Sequence, residues 1–206
     1  MSFLKKVFST SNAANSGIAL PEELASEGAG GIDLEAVFRG WSAEERLSIC
    51  RSLPISQLDF SPSGAKDPMG WARFICFAVA RYLASEASLR DCADIVIPRI
   101  ASRIAGCQLL QEEMGHDLGQ FAAQLDSVGY FYEAVECFRT LRDATVIGRV
   151  KRDECSFYMF ICMFNLARST KSRADIQLAL SHSEALPLDW RQKADKMIID
   201  LTKMVP

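Results

Sequence analysis

Residues 118–138 read LGQFAAQLDSVGYFYEAVECF, and this stretch decides the fold class. Leu118, Phe121, Ala122 and Leu125 recur at three- and four-residue intervals, which places apolar side chains on one face of an α-helix. Gly129 breaks the pattern, and Ala134, Cys137, Phe138 and Leu141 resume it. Two amphipathic helices joined by so short a turn are expected to fold back on each other as an antiparallel hairpin.

The same rhythm continues outward. Downstream, Cys155–Ala167 is strongly apolar, Ser169–Ser172 makes a turn, Ala174–Ala185 is amphipathic, and Leu186-Pro187 halts it. A last helix is expected over Trp190–Met204, with Ala194, Met197, Ile198 and Leu201 inward. Upstream, Asp67-Pro68 is a helix start, an N-cap followed by proline in the first turn. Ser42-Ala43-Glu44-Glu45 has the form of a capping box, and Asp33 can cap a short helix reaching Arg39. Pro98, set among Ile95, Val96, Ile97 and Ile100, is expected to kink or restart its helix. Ile95–Ile97 is the one place where a strand competes. The expected fold is all-α, an irregular array of antiparallel helical hairpins arranged as a superhelix or a compact bundle. Residues 32–206 form one domain in this reading, and the Ser/Asn/Ala/Gly-rich residues 1–31 form a flexible tail.

The hairpin pattern resembles a tetratricopeptide repeat. The match runs Leu118-x2-Phe121-Ala122-x2-Leu125-x3-Gly129-x-Phe131-x2-Ala134-x3-Phe138, and residues 155–185 offer a second, more degenerate hairpin. The resemblance covers about residues 115–186. It implies small residues where two helices approach and large ones filling the gaps between them. It also implies a binding groove on the first helix, at His116, Gly119, Gln120, Ala123, Asp126 and Ser127. The Lys and Asn with which some family members hold a C-terminal carboxylate would fall at Gly119 and Ala123, so that peptide mode is not expected. Phe131 and Phe138 take core positions, while Tyr130 and Tyr132 flank the turn partly exposed, as interface tyrosines often are.

Composition narrows the partners. The 206 residues carry a net charge of −3, with 49 % hydrophobic and 24 % charged residues. No concentrated basic face emerges, so a nucleic-acid partner is not expected. Arg139, Arg142, Arg149, Lys151 and Arg152 form a modest basic cluster, balanced by Asp143, Asp153 and Glu154. Seven widely spaced cysteines without a CxxC pair point to a reducing, cytoplasmic setting, not a disulfide frame. No apolar run approaches the ~18 residues of a membrane span.

Two chemistries compete with a binding role. Glu113-Met114-Gly115-His116 has the Glu-x-x-His spacing of di-iron carboxylate bundles, which makes a metal-binding helical-bundle enzyme centred on Glu113 and His116 the leading alternative. Such a site needs a second copy of the motif, and the only other histidine, His182, lacks the spacing. Met1–Phe8, with Phe3, Leu4, Val7 and Phe8 around two lysines, could dock on a membrane surface. No phosphate-binding loop or nucleophile motif is present, and neither a catalytic residue nor a cofactor is expected. The favoured reading is a non-catalytic module of the adaptor, chaperone or immunity type. It binds another protein or peptide through His116, Gln120, Ala123, Ser127, Tyr130 and Tyr132.

Overall fold

The computed structural model describes residues 34–53, 55, 78–105, 112–144 and 148–204, without the side chains of residues 36, 37 and 112–114. The tail 1–31, its Met1–Phe8 segment, the helix start at Asp67-Pro68, Cys76 and Cys107 lie outside the described residues. Among those described, the regular structure is helical throughout, and the chain is all-α. Contacts divide it into two compact units, Met1–Arg103 and Ile104–Pro206.

The first unit contains α1 (Leu34–Arg39), α2 (Ala43–Ser52), α3 (Ala80–Ser85) and most of α4 (Arg90–Ile104). The capping box forms: the Glu45 amide donates to Ser42 Oγ at 3.3 Å, and the Ser42 amide donates to Glu45 Oε2 at 2.9 Å. Two of the orphan donors at the start of α2 are thereby satisfied. The other end of α2 is held from a distance in sequence. The Arg99 guanidinium, on α4, donates to the carbonyls of Cys50, Arg51 and Leu53 at 2.9, 3.1 and 2.8 Å. Phe38 packs edge-on against Trp41 and tilted against Tyr82, with centroids 5.5 and 5.7 Å away.

Ile95–Ile97 is helical, and α4 runs through Pro98 without restarting. Proline removes the hydrogen bond to the carbonyl four residues back, which belongs to Asp94. Asp94 lies on the exposed face of α4, where water can take up that carbonyl, while Cys92, Ala93, Val96, Ile97, Ile100 and Ala101 keep the opposite face buried. Burial of six apolar side chains outweighs one lost backbone bond, so the helix continues through Pro98.

The second unit contains α5 (Glu112–Ser127), α6 (Phe131–Asp143), α7 (Arg149–Thr170), α8 (Arg173–Glu184) and α9 (Leu188–Met204). Consecutive helices pack against each other, and α7 also touches α9. With neighbours on several sides, α7 buries Met159, Phe160, Cys162, Met163, Phe164, Leu166 and Ala167. That accounts for the strongly apolar stretch Cys155–Ala167 within it.

The turn between α5 and α6 is a Schellman motif. Gly129 adopts φ 91°, its amide donates to Asp126 O at 3.2 Å, and the Tyr130 amide donates to Leu125 O at 2.9 Å. The turn between α7 and α8 has no glycine. Lys171 takes the left-handed conformation there, at φ 53°, and its amide donates to Ala167 O at 2.8 Å.

Gly115 and Gly119 sit one turn apart on α5 against Leu141 of α6. A Cβ at either position would meet that side chain at 3.6 or 3.7 Å, ordinary van der Waals contact. Gly119→Ala is therefore expected to stabilise the fold by about 0.5–1 kcal/mol through helix propensity. Urea denaturation checks this, and a loss of stability would mean that α5 and α6 are closer than described.

Candidate functional site

Two layers of helices follow from the side-chain contacts of the second unit. In the first layer, Asn165 of α7 donates from Nδ2 to both carboxylate oxygens of Asp126 on α5, at 3.1 and 3.0 Å. Phe157 of α7 packs on Trp190 of α9, with centroids 5.0 Å apart, and Lys193 Nζ lies 3.8 Å above the Trp190 ring. The helices α5, α7 and α9 thus share one side. In the second layer, Tyr132 of α6 donates its hydroxyl to Asp175 of α8 at 3.2 Å. Further along both helices, Arg139 and Arg142 of α6 lie close enough to His182 of α8 to lower its pKa. The contact between the two helix starts, with Arg139 and Arg142 near His182, fits α6 and α8 running in the same direction. Their buried positions recur accordingly: Ala134, Cys137 and Leu141 on α6; Ile176, Ala179 and Ser183 on α8.

The candidate binding residues fall into two groups. His116, Gln120, Ala123 and Ser127 are all exposed. Their four–three–four spacing aligns them along one face of α5, opposite the fully buried Leu118, Phe121, Ala122 and Leu125. His116 Nε2 and Gln120 Nε2 lie 2.8 Å apart, so this contact orients the imidazole along its own helix.

The tyrosines do not share that face. Tyr132 is 55 % exposed and hydrogen-bonded to Asp175 in the other layer. Tyr130 is only 5 % exposed, which corrects the expectation of a partly exposed ring. The Schellman turn explains the difference. The residue after the left-handed glycine commonly packs on the apolar residue five positions back, here Leu125, which is itself fully buried. Phe131, expected in the core, is half-buried instead.

Asn165 escaped the sequence reading. Its signal was a lone carboxamide inside the apolar run Phe157–Leu166, a position where a polar group needs a partner. The partner is Asp126, one of the groove positions named from the sequence.

The described cysteines Cys50, Cys92, Cys137, Cys155 and Cys162 are free and buried. Burial raises the thiol pKa of each: Cys50 reaches about 12 and Cys155 about 11, and Cys92, Cys137 and Cys162 are raised as well. Thiolate nucleophiles are correspondingly scarce near neutral pH. Among the described residues, no three His, Cys, Asp or Glu side chains gather as a metal ion would require. The Glu113 side chain lies outside that set. No described helix is long and apolar enough to cross a membrane.

His182 is half-buried, and its pKa falls below the usual 6.5, first through burial and then through Arg139 and Arg142. The unfolded chain therefore binds a proton that the native chain refuses, and stability decreases as pH falls from 6.5 through the native pKa. His182→Gln is expected to reduce the stability lost between about pH 7 and pH 5. Denaturation midpoints at the two pH values test this, and an unchanged difference would remove His182 as a source of acid sensitivity.

The fold places the chain among all-α proteins built from packed adjacent helices. Searches against family models, curated proteins and solved structures return no match.

Proposed function

We propose that this chain is a non-catalytic protein-binding module whose binding surface is the exposed face of α5. The observation that carries the reading is the alignment of His116, Gln120, Ala123 and Ser127, small or uncharged polar side chains that leave the helix backbone approachable. The parallel stacking of α5/α6 and α7/α8 supports a tetratricopeptide-like reading, since arrays of helical hairpins offer extended surfaces to peptides and protein partners. Asp126 and Asn165, half-buried at the border of the same face, provide hydrogen-bonding groups for a bound backbone. A catalytic role has less support, because the described thiols are buried and His116 is engaged by Gln120. An adaptor, chaperone or immunity role in the cytoplasm fits both the surface and the reduced cysteines.

Affinity capture from the native host tests the reading, using the wild type and Ala123→Arg in parallel. Ala123 is exposed, so the substitution is expected to leave the fold intact. The expected result is a stoichiometric protein partner recovered by the wild type and reduced at least ~10-fold in the variant, as for a charge placed within an interface. Equal recovery by both proteins would exclude the α5 face. A turnover activity dependent on His116 would replace the reading altogether.

A further inference from the structure

A second surface lies where the end of α6 meets the start of α7. Arg142 Nε and Nη2 bind the two Asp143 carboxylate oxygens at 2.8 and 3.1 Å, and Arg139 is paired with Glu136. The Asp143 carboxyl is held below the usual carboxylate range first by the Arg142 hydrogen bonds and then by the charges of Arg142, Arg139 and Arg152. Beyond them, α7 opens with Arg149, Val150, Lys151 and Arg152, all exposed. Among the described residues, neither Arg149 nor Lys151 has an ion-pair partner. Val150, set between them, is 75 % exposed.

Folding alone does not favour this arrangement. The first turn of a helix carries the positive end of its dipole, where acidic side chains stabilise and basic ones do not. The first turn of α7 has no acidic residue, and Gly148 gives no side-chain cap. A local arrangement that opposes stability is a sign of a functional surface.

We infer that this surface docks a run of acidic side chains on a partner protein. Arg149 and Lys151 supply unpaired cations, Val150 an apolar contact, and Arg139, Arg142 and Arg152 a positive background. The intervening carboxylates of Asp143 and Asp153 interrupt the positive field, which suits separately spaced Asp and Glu side chains better than a continuous chain of phosphates. This surface belongs to different helices from the α5 face, so either can fail without the other.

The test is a titration of a fluorescently labelled octapeptide of alternating glutamate and serine with the full chain, followed by anisotropy. Saturable binding is expected, weakening as salt rises from about 50 to about 200 mM. The Arg149→Glu/Lys151→Glu variant is expected to bind at least ~10-fold more weakly while its melting temperature is unchanged or raised, because the dipole now favours the new side chains. A Lys193→Glu control, on α9, is expected to bind like the wild type. The inference is overturned by any of four results: no saturable binding, charge reversal without effect, an equal loss in the α9 control, or tighter binding of a labelled single-stranded oligonucleotide or anionic lipid vesicles than of the peptide.

Discussion

Phe160→Ala is expected to cost about 3–5 kcal/mol of stability, the range for removing a fully buried aromatic ring from a core that cannot collapse around the cavity. Phe160 is fully buried on α7, the helix that packs against α6, α8 and α9. Phe157 and Phe164 flank it on the same helix, with centroids 6.5 and 6.3 Å away. Because the helix that carries it packs against three others, movement of α7 to refill the space is expected to disturb those contacts. Whole domains are stable by only about 5–15 kcal/mol, so the loss consumes a large part of the total. Phe157→Ala provides the comparison: Phe157 is half-buried, and a smaller loss is expected. Urea denaturation of both variants decides the matter. A cost below about 1 kcal/mol for Phe160→Ala would mean that α7 is not the centre of the second unit.

Arg99→Ala is the second large effect, expected at about 2–3 kcal/mol, because hydrogen bonds to a charged group are stronger than neutral ones and, although Leu53 keeps the Ile55 amide as a donor at 2.8 Å, the Cys50 and Arg51 carbonyls lose the guanidinium. The three acceptors, Cys50, Arg51 and Leu53, lie at the end of α2, where unpaired carbonyls and the negative end of the helix dipole both favour a cation. Cys50 and Leu53 are buried, so water cannot readily replace the guanidinium there. Arg99→Lys keeps the charge but not the planar fork that spans three oxygens, and less than half of the loss is expected to be recovered. Denaturation midpoints of the two variants separate charge from geometry. Full recovery by lysine would show that only the charge matters.

Much of the second unit was legible because its determinants are local. The spacing of Leu118, Phe121, Ala122 and Leu125 contains the buried face of α5, and the exposed face at His116, Gln120, Ala123 and Ser127 follows as its complement. Gly129 announced the turn. The burial of Tyr130 was missed because it depends on the particular backbone hydrogen bonds of that turn, a geometry in which the residue after the glycine commonly turns back onto the helix. The turn at Lys171 carried no signal, since a lysine held at positive φ by its surroundings looks like any other lysine in sequence. Whether the helix continues through Pro98 was not legible locally, for a related reason. The cost of proline in a helix depends on whether the orphaned carbonyl meets water or protein, and burial on the opposite face decides whether the helix can bear that cost.

By itself, the sequence determined the all-α class, the capping box of α2, the rhythm of each helix, and which side of α5 stays in solvent. These properties rest on interactions between residues within a few positions of one another. Only the tertiary structure decided that Arg99 caps a helix 46 residues away, that Asn165 pairs with Asp126, and that α6 and α8 run side by side. Such pairings join residues far apart in the chain, and they become defined only when packing brings whole helices into register.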